Sequence, residues 1–321
     1  MFFSRRVVSM LPVAVLLLGA GAAPGQDFPS KPIRIITSGA GGGNDRMARE
    51  LAQSLAGPLG QPVTVENHQG GVAPGEIVAK SQPDGHTFLV YNNSLWIGPL
   101  VQNAAYDAVR DFAPIVELAR TPNVLVVGAD SPARTVVELI ALARAKPGEL
   151  KYGTSGVGST NHLAGELFGS MAGIRIVPVA YKGSGGAIKD LMAGRLQLML
   201  PTTVSGAPHV KSGKLRALGV TSATPSALMP GVPPVAMSGL PGYESITIFS
   251  AFAPAATPRA VIGRLNSEMV QFVTRADVKE RMLKDGMEVV GGTPAQLAAT
   301  MKSELARMSK VIKDAGIRVS E

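Results

Sequence analysis

The stretch 33–45, Ile-Arg-Ile-Ile-Thr-Ser-Gly-Ala-Gly-Gly-Gly-Asn-Asp, constrains this chain more than any other. Residues 33–37 are a short, β-branched, apolar run, the pattern of a buried strand. Four of the five residues 39–43 are glycine, so their backbone N–H groups are bare of side chains and free to point inward. Asn44 or Asp45 can cap the helix that follows, whose apolar positions Met47, Leu51 and Leu55 recur at helical spacing. A strand, a glycine turn and a helix N-terminus together make a seat for an anion. One such motif alone also describes a tight connection that holds nothing.

Recurrence favours the seat. Residues 151–162 read Lys-Tyr-Gly-Thr-Ser-Gly-Val-Gly-Ser-Thr-Asn-His, again a strand, a small-residue turn and a helix carrying Leu163, Leu167 and Met171 on one side. Residues 174–192 repeat the design, with Tyr181-Lys182-Gly183-Ser184-Gly185-Gly186 after a strand and before a short helix. Three such turns at strand C-terminal ends predict one shared cleft.

Around these turns the pattern is strand, helix, strand. Residues 62–66 and 86–91 read as strands separated by a short helix through Ile77 and Ala79, with Gly60 closing the first helix. That order predicts mainly parallel sheets flanked by helices, and places Asn92 and Asn93 at a strand end facing the first turn. After strands at 112–118 and 123–127 the pattern restarts, with Ser131 expected to cap a helix over 135–146. Strands at 196–200 and 216–221 flank Pro201-Thr202-Thr203 and a helix over 204–212. A strand at 246–253 and amphipathic helices opened by Pro258 and Thr293-Pro294 complete the chain.

The start of the chain reads as a cleaved export leader. Arg5 and Arg6 precede a mostly apolar stretch over 7–18 and a small-residue zone over 19–25. Removing it takes the formal net charge from +8 to +6, and leaves ~295 residues, enough for two domains. The absence of cysteine excludes a lipobox, disulfides and thiolate chemistry. Scattered basic residues with little aromatic interleaving argue against nucleic acid and suit small anionic solutes.

Catalytic patterns are missing. The four histidines, at 68, 86, 162 and 209, are not spaced as metal ligands, and Gly153-Thr154-Ser155-Gly156-Val157 lacks the closing glycine of a nucleophile elbow. Asn44 stands where a dinucleotide fingerprint needs its third glycine. The chain is therefore read as a binder and not an enzyme, without cofactor or metal. Asp45 can partner a ligand amine, or serve only as a helix cap. The candidate contacts are Ser38, Gly39, Ala40, Gly43, Asn44 and Asp45 from the first turn, with Asn92 and Asn93. The second turn adds Ser155, Gly156, Ser159, Thr160 and His162, and the third Tyr181, Lys182 and Gly183, with Thr202 beyond.

Lined up in order, these pieces resemble the solute-binding receptors of tripartite tricarboxylate transporters, the Bordetella uptake gene or Bug family. The marks are Gly41-Gly42-Gly43-Asn44-Asp45 with Ala48-Arg49, Gly60-Gln61-Pro62-Val63, and Pro83-Asp84-Gly85-His86-Thr87. Tyr181-Lys182-Gly183-Ser184-Gly185, Gly213-Lys214-Leu215-Arg216-Ala217-Leu218 and Lys313-Asp314-Ala315-Gly316-Ile317 extend them over nearly all of the mature chain. The resemblance implies a bilobal, type II periplasmic-binding-protein fold. It also implies a small carboxylate held by backbone amides and waters, delivery to membrane transporter subunits, a monomer, and a place for Asp45 at the ligand end of the first helix. The expected division is a leader over 1–25, lobe one from 26–127 plus 235–321, and lobe two over 128–234. A periplasmic sensor handing its ligand state to a signalling protein is the alternative with the same fold. The first turn is a residue shorter than usual in the family, Pro201 stands where many members carry aspartate, and Ile248 and Met308 replace frequent tryptophans. Losing an acid beside the cleft alters which head group it tolerates.

Overall fold

A computed structural model describes residues 28–314, together with Met1. The rest of the expected leader and the Ala315-Gly316-Ile317 end of the family pattern lie outside the described residues. No helix among those described is long and apolar enough to cross a membrane.

The predicted alternation of strand and helix is present. β1 (Ile33–Ser38), α1 (Gly43–Leu59), β2 (Val63–His68), α2 (Ala73–Ala79) and β3 (Thr87–Asn92) form two successive strand–helix–strand units. After α3 (Ser94–Ile97), β4 (Phe112–Pro122) runs to a crossing, and β5 (Val124–Gly128) opens a second sheet. There α4 (Val136–Ala145), β6 (Lys151–Thr154), α5 (Thr160–Ala172), β7 (Val177–Ala180) and α6 (Ser184–Met192) follow. Next come β8 (Leu198–Met199), α7 (Thr203–Lys211) and β9 (Leu215–Val220). β10 (Ile246–Pro254) returns to the first sheet, and α8 (Arg259–Thr274), α9 (Ala276–Lys284), β11 (Glu288–Val289) and α10 (Pro294–Asp314) complete it.

Both sheets are mixed, where mainly parallel ones were expected. The first runs β11-β4-β10-β3-β1-β2 and the second β7-β6-β8-β5-β9. β1 pairs parallel with β2 and β3, and β6 with β7 and β8, as strand–helix–strand units require. The strand that has just crossed from the other lobe runs the opposite way: β10 is antiparallel to β3 and β4, and β5 to β8 and β9. A crossing strand enters its sheet from the end at which the parallel strands finish, so its direction follows from topology and not from its own residues.

Each sheet has its own two-faced core. Ile33 and Ile35 pack with α1 and α8, while Ile36 faces α2, α3 and α10. On β5, Leu125 and Val127 face α4 and α5, while Val124 and Val126 face α6 and α7. Met47, Leu51 and Leu55 hold α1 in place, each fully buried side chain contributing about 1.5–3 kcal/mol.

The lobe boundaries differ from the expected ones. β5 belongs to the second sheet, so the crossing falls at Asn123 and not after residue 127; Val235, Leu240 and Tyr243 still pack in the second core, so the return falls near Ser245. At this hinge Asn123 is fully buried. Its Nδ2 donates to the Leu200 carbonyl at 2.8 Å, and its Oδ1 accepts from Thr247 Oγ1 at 2.8 Å. Its backbone N–H donates to Thr221 Oγ1 at 2.7 Å.

Local details are also corrected. Thr135, and not Ser131, caps α4, accepting from the Glu138 N–H at 3.1 Å. Met171 is exposed while Leu163 and Leu167 are buried. α9 escaped the periodicity because only Val278 and Met282 of its nine residues are buried, too few to make a stripe. Pro201, Ile248 and Met308 are all buried, the last two in the core beneath α10.

Candidate functional site

The three turns converge. Ser38, Gly39 and Gly43 from the first, Ser155 and Thr160 from the second, and Gly183 from the third line one narrow cavity between the lobes, of about 30 Å³. Asn44, Asn92 and Thr202, also expected there, complete nine of the anticipated contacts. Gly42, part of the glycine run read as the seat, lines it as well, and so do Asn161, Ser184 and Phe249, which were not among the expected contacts. Asn161 and Ser184 each follow a predicted residue by one position in a polar turn, a signal the sequence did offer. Phe249 lies mid-strand on β10, and nothing local marks it.

The lining contains no charged side chain. Its polarity comes from helix ends: Gly42, Gly43 and Asn44 begin α1, Thr160 and Asn161 begin α5, Gly183 and Ser184 begin α6, and Thr202 precedes α7. The first N–H groups of a helix have no intrahelical acceptor, and each N-terminus carries roughly half a positive charge. Four such ends around one small space create a positive field without a cation.

Side-chain amides add donors with a fixed orientation. Asn161 Oδ1 accepts from the Ser155 N–H at 3.1 Å, Ser155 Oγ at 3.1 Å and Ser159 Oγ at 2.6 Å, which leaves its NH₂ as the free end. Asn92 Oδ1 accepts from the Ser94 N–H at 3.0 Å, with the same consequence. Asn44 donates from Nδ2 to Ser38 Oγ at 2.9 Å.

The remaining expected contacts lie outside the lining. Asp45 is turned away: its Oδ2 accepts from the Gly41 N–H at 3.1 Å, and its Oδ1 from Asn67 Nδ2 at 2.8 Å and Arg49 Nε at 2.9 Å. Burial alone would raise this carboxyl, but Arg49, Asn67 and Gly41 together hold it below the ordinary aspartate value. Neither Asn44 nor Asp45 is the N-cap of α1; that position is Gly42, and Asp45 reaches back to order the turn before it. Asn93 ties β3 to β10, donating to the Ile246 carbonyl at 3.0 Å and accepting from the Ile248 N–H at 3.2 Å. Ser159 is spent as the N-cap of α5 and on the Gly156 carbonyl, at 2.6 Å.

His162 is buried behind the turn, where its Nδ1 accepts from the Gly158 N–H at 3.3 Å. Burial holds the imidazole below its ordinary value, with Glu166 at 4.0 Å opposing only in part. Tyr181 donates its hydroxyl to Asp190 Oδ2 at 2.6 Å. Ala40 and Lys182 are exposed. Lys182 acts through its backbone: a Cβ at Gly39 would stand 2.2 Å from its carbonyl oxygen, so the lobes meet there through bare main chain. Gly70 approaches the Ser155 carbonyl in the same way, at 2.4 Å. Among the described residues no group of three or more His, Cys, Asp or Glu is placed to hold a metal ion.

Residues 47–317 match the model of the tripartite tricarboxylate transporter family receptors. The chain belongs to this family. A protein of R. palustris solved with adipate is 34% identical, with a TM-score of 0.87 over 92% of this chain and 100% of that one. The periplasmic binding protein BugD is 28% identical, with a TM-score of 0.87 over 91% of this chain and 100% of its own. MatC of Rhodopseudomonas palustris, solved with malate, is 26% identical, with a TM-score of 0.85 over 89% and 100%. The receptor thus has the bilobal fold of periplasmic solute-binding proteins, with its polar cavity between the lobes.

Proposed function

We propose that this receptor captures a small carboxylate in the periplasm, between its lobes, and presents it to the membrane subunits of a tripartite tricarboxylate transporter. One observation carries the reading: a cavity without charged walls at which four helix N-termini meet. A carboxylate oxygen accepts several hydrogen bonds, and bonds from oriented amides to an ionised acceptor are about twice as strong as neutral ones. An ammonium would face the wrong end of every dipole. Ser38, Gly39, Gly43, Asn44, Asn92, Ser155, Thr160, Gly183 and Thr202 are the proposed contacts, joined by Gly42, Asn161 and Ser184.

The adipate and malate of the related structures support a carboxylate head group. The family supports the transporter, BugD the periplasm, and a site complete within one chain supports a monomer. No residue pair in the lining supplies a nucleophile with its base, which supports binding without turnover.

The test is native mass spectrometry of the chain purified from periplasm, followed by thermal shifts with the acid found. At a hundred times Kd a ligand stabilises by about 2.7 kcal/mol. Asn161→Asp keeps the three hydrogen bonds accepted by Oδ1 and replaces the free NH₂ with negative charge. It is expected to abolish the ligand-induced shift and spare the ligand-free melting temperature. A shift that survives this variant overturns the reading.

A further inference from the structure

The lobes also meet along a seam that takes no part in the cavity lining. The second lobe brings Val157 and Gly158 of its first small-residue turn, and the first lobe brings Gly71, just before α2, and Gly98, just after α3. A Cβ at Gly71, where φ is +78°, would stand 2.6 Å from the Val157 carbonyl oxygen, and one at Gly158 would stand 3.2 Å from the Gly98 Cα. The two main chains leave no room for a side chain between them, so one that joins them has to reach in from the edge. Beside the seam, Leu163 of α5 is buried in the first lobe's core with Leu95, Trp96 and Val101. Apolar burial favours the contact without giving it a direction.

Gln102 supplies the direction. It follows α3, is half-buried, and lies against both Gly71 and Gly158. With its amide oriented to satisfy both neighbours, Nε2 donates to the Val157 carbonyl at 2.8 Å, across the lobes, and Oε1 accepts from the Val72 N–H at 3.2 Å, within its own lobe. The reverse orientation would set oxygen against oxygen. One side chain thus ties the N-cap of α2 to the turn that carries Ser155 and leads into Thr160 and Asn161, all three in the cavity lining. When the lobes part, the bond to Val157 breaks and the bond to Val72 stays.

We infer that Gln102 is an affinity-determining latch: it touches no ligand, holds the second turn against the first lobe, and sets how long the receptor stays closed around its cargo. This rests on the reading of the cavity as the carboxylate site between the lobes. It adds that part of the affinity is fixed outside that cavity and is the same for every acid bound.

Two variants of the mature protein test it. Gln102→Glu keeps the size of the side chain and the acceptor for the Val72 N–H but cannot donate to the Val157 carbonyl, and Gln102→Ala removes both bonds. In calorimetry and stopped-flow with adipate and with malate, Gln102→Glu is expected to weaken both acids by one common factor of about 2- to 12-fold, the worth of a single hydrogen bond. Dissociation is expected to speed up by that factor, and the ligand-free melting temperature to stay at the parent value. Gln102→Ala is expected to weaken both acids in the same way. Because the chain has no cysteine, spin labels on Gln53→Cys in α1 and Ala141→Cys in α4, both exposed, report lobe separation alone, and the ratio of closed to open forms is expected to fall by the same factor. Affinities and separations equal to the parent's overturn the latch, as does an effect on one acid and not the other, which would make Gln102 a ligand contact. Failure of both acids to bind the parent counts against the carboxylate reading alone. The ligand-free labelled protein then decides, and a closed population that Gln102→Glu leaves unchanged overturns the latch.

Discussion

Alanine at position 39 asks whether the lobes must meet as they do here. Its Cβ would stand 2.2 Å from the Lys182 carbonyl oxygen, whereas ordinary contact begins at 3.4 Å, so the two backbones must part by about 1.2 Å. The next atom in its own lobe, the His68 carbonyl oxygen, lies 3.7 Å away, and Gly39 does not occupy the left-handed region. The cost therefore falls on the closed arrangement and not on either lobe. Overpacking against an atom that cannot rotate aside costs about 1–3 kcal/mol. Because a binding-competent state populated less often lowers apparent affinity in proportion, that cost corresponds to about 5- to 150-fold weaker binding. Calorimetry with the co-purified acid reads the affinity, and small-angle scattering reads ligand-induced compaction. Gly57→Ala, on the exposed side of α1 where a Cβ meets nothing within 4 Å, is the control. Affinity for Gly39→Ala within about twofold of the parent, with normal compaction, refutes the argument.

Asp45→Asn tests the turn's own support. A carboxyl held below its ordinary value stabilises fully above the unfolded pKa, about 3.9, and the contribution disappears as pH falls through the folded value. The stability gap between parent and variant in urea is expected to narrow below about pH 4, and a gap constant through that range contradicts it. Asn123→Ala leaves the Leu200 carbonyl and the Thr247 hydroxyl unpaired in a buried hinge, at a cost of about 2–4 kcal/mol in chemical denaturation; a loss below about 1 kcal/mol would show the hinge finds other partners. Ser159→Ala removes the cap of α5 and is expected to cost about 1 kcal/mol, with weakened ligand binding because Asn161 loses one of the donors that orient it.

The three small-residue turns were legible because each is a local pattern: a β-branched run, residues without bulky side chains, and a helical period in succession. The αL glycine at Gly60 that ends α1 and the Thr293-Pro294 start of α10 were legible in the same way, whereas the caps of α1 and α4 fell at Gly42 and Thr135 and not at the residues expected. Asp45 shows where local reading stops. Its residue type fits a ligand contact and a turn support equally, and only Arg49 and Asn67, the latter on β2, decide for the second.

What the amino-acid order determined by itself was the set of elements and the small-residue turns between them, since backbone freedom and side-chain period act over a few residues. What only the tertiary structure decided was direction and convergence. The reversed run of β5 and β10, the arrival of Phe249 at the cavity, and the contact of Gly39 with the Lys182 carbonyl join residues that stand far apart in the chain. Such contacts depend on how whole sheets are threaded and docked, a property no short stretch of side chains encodes.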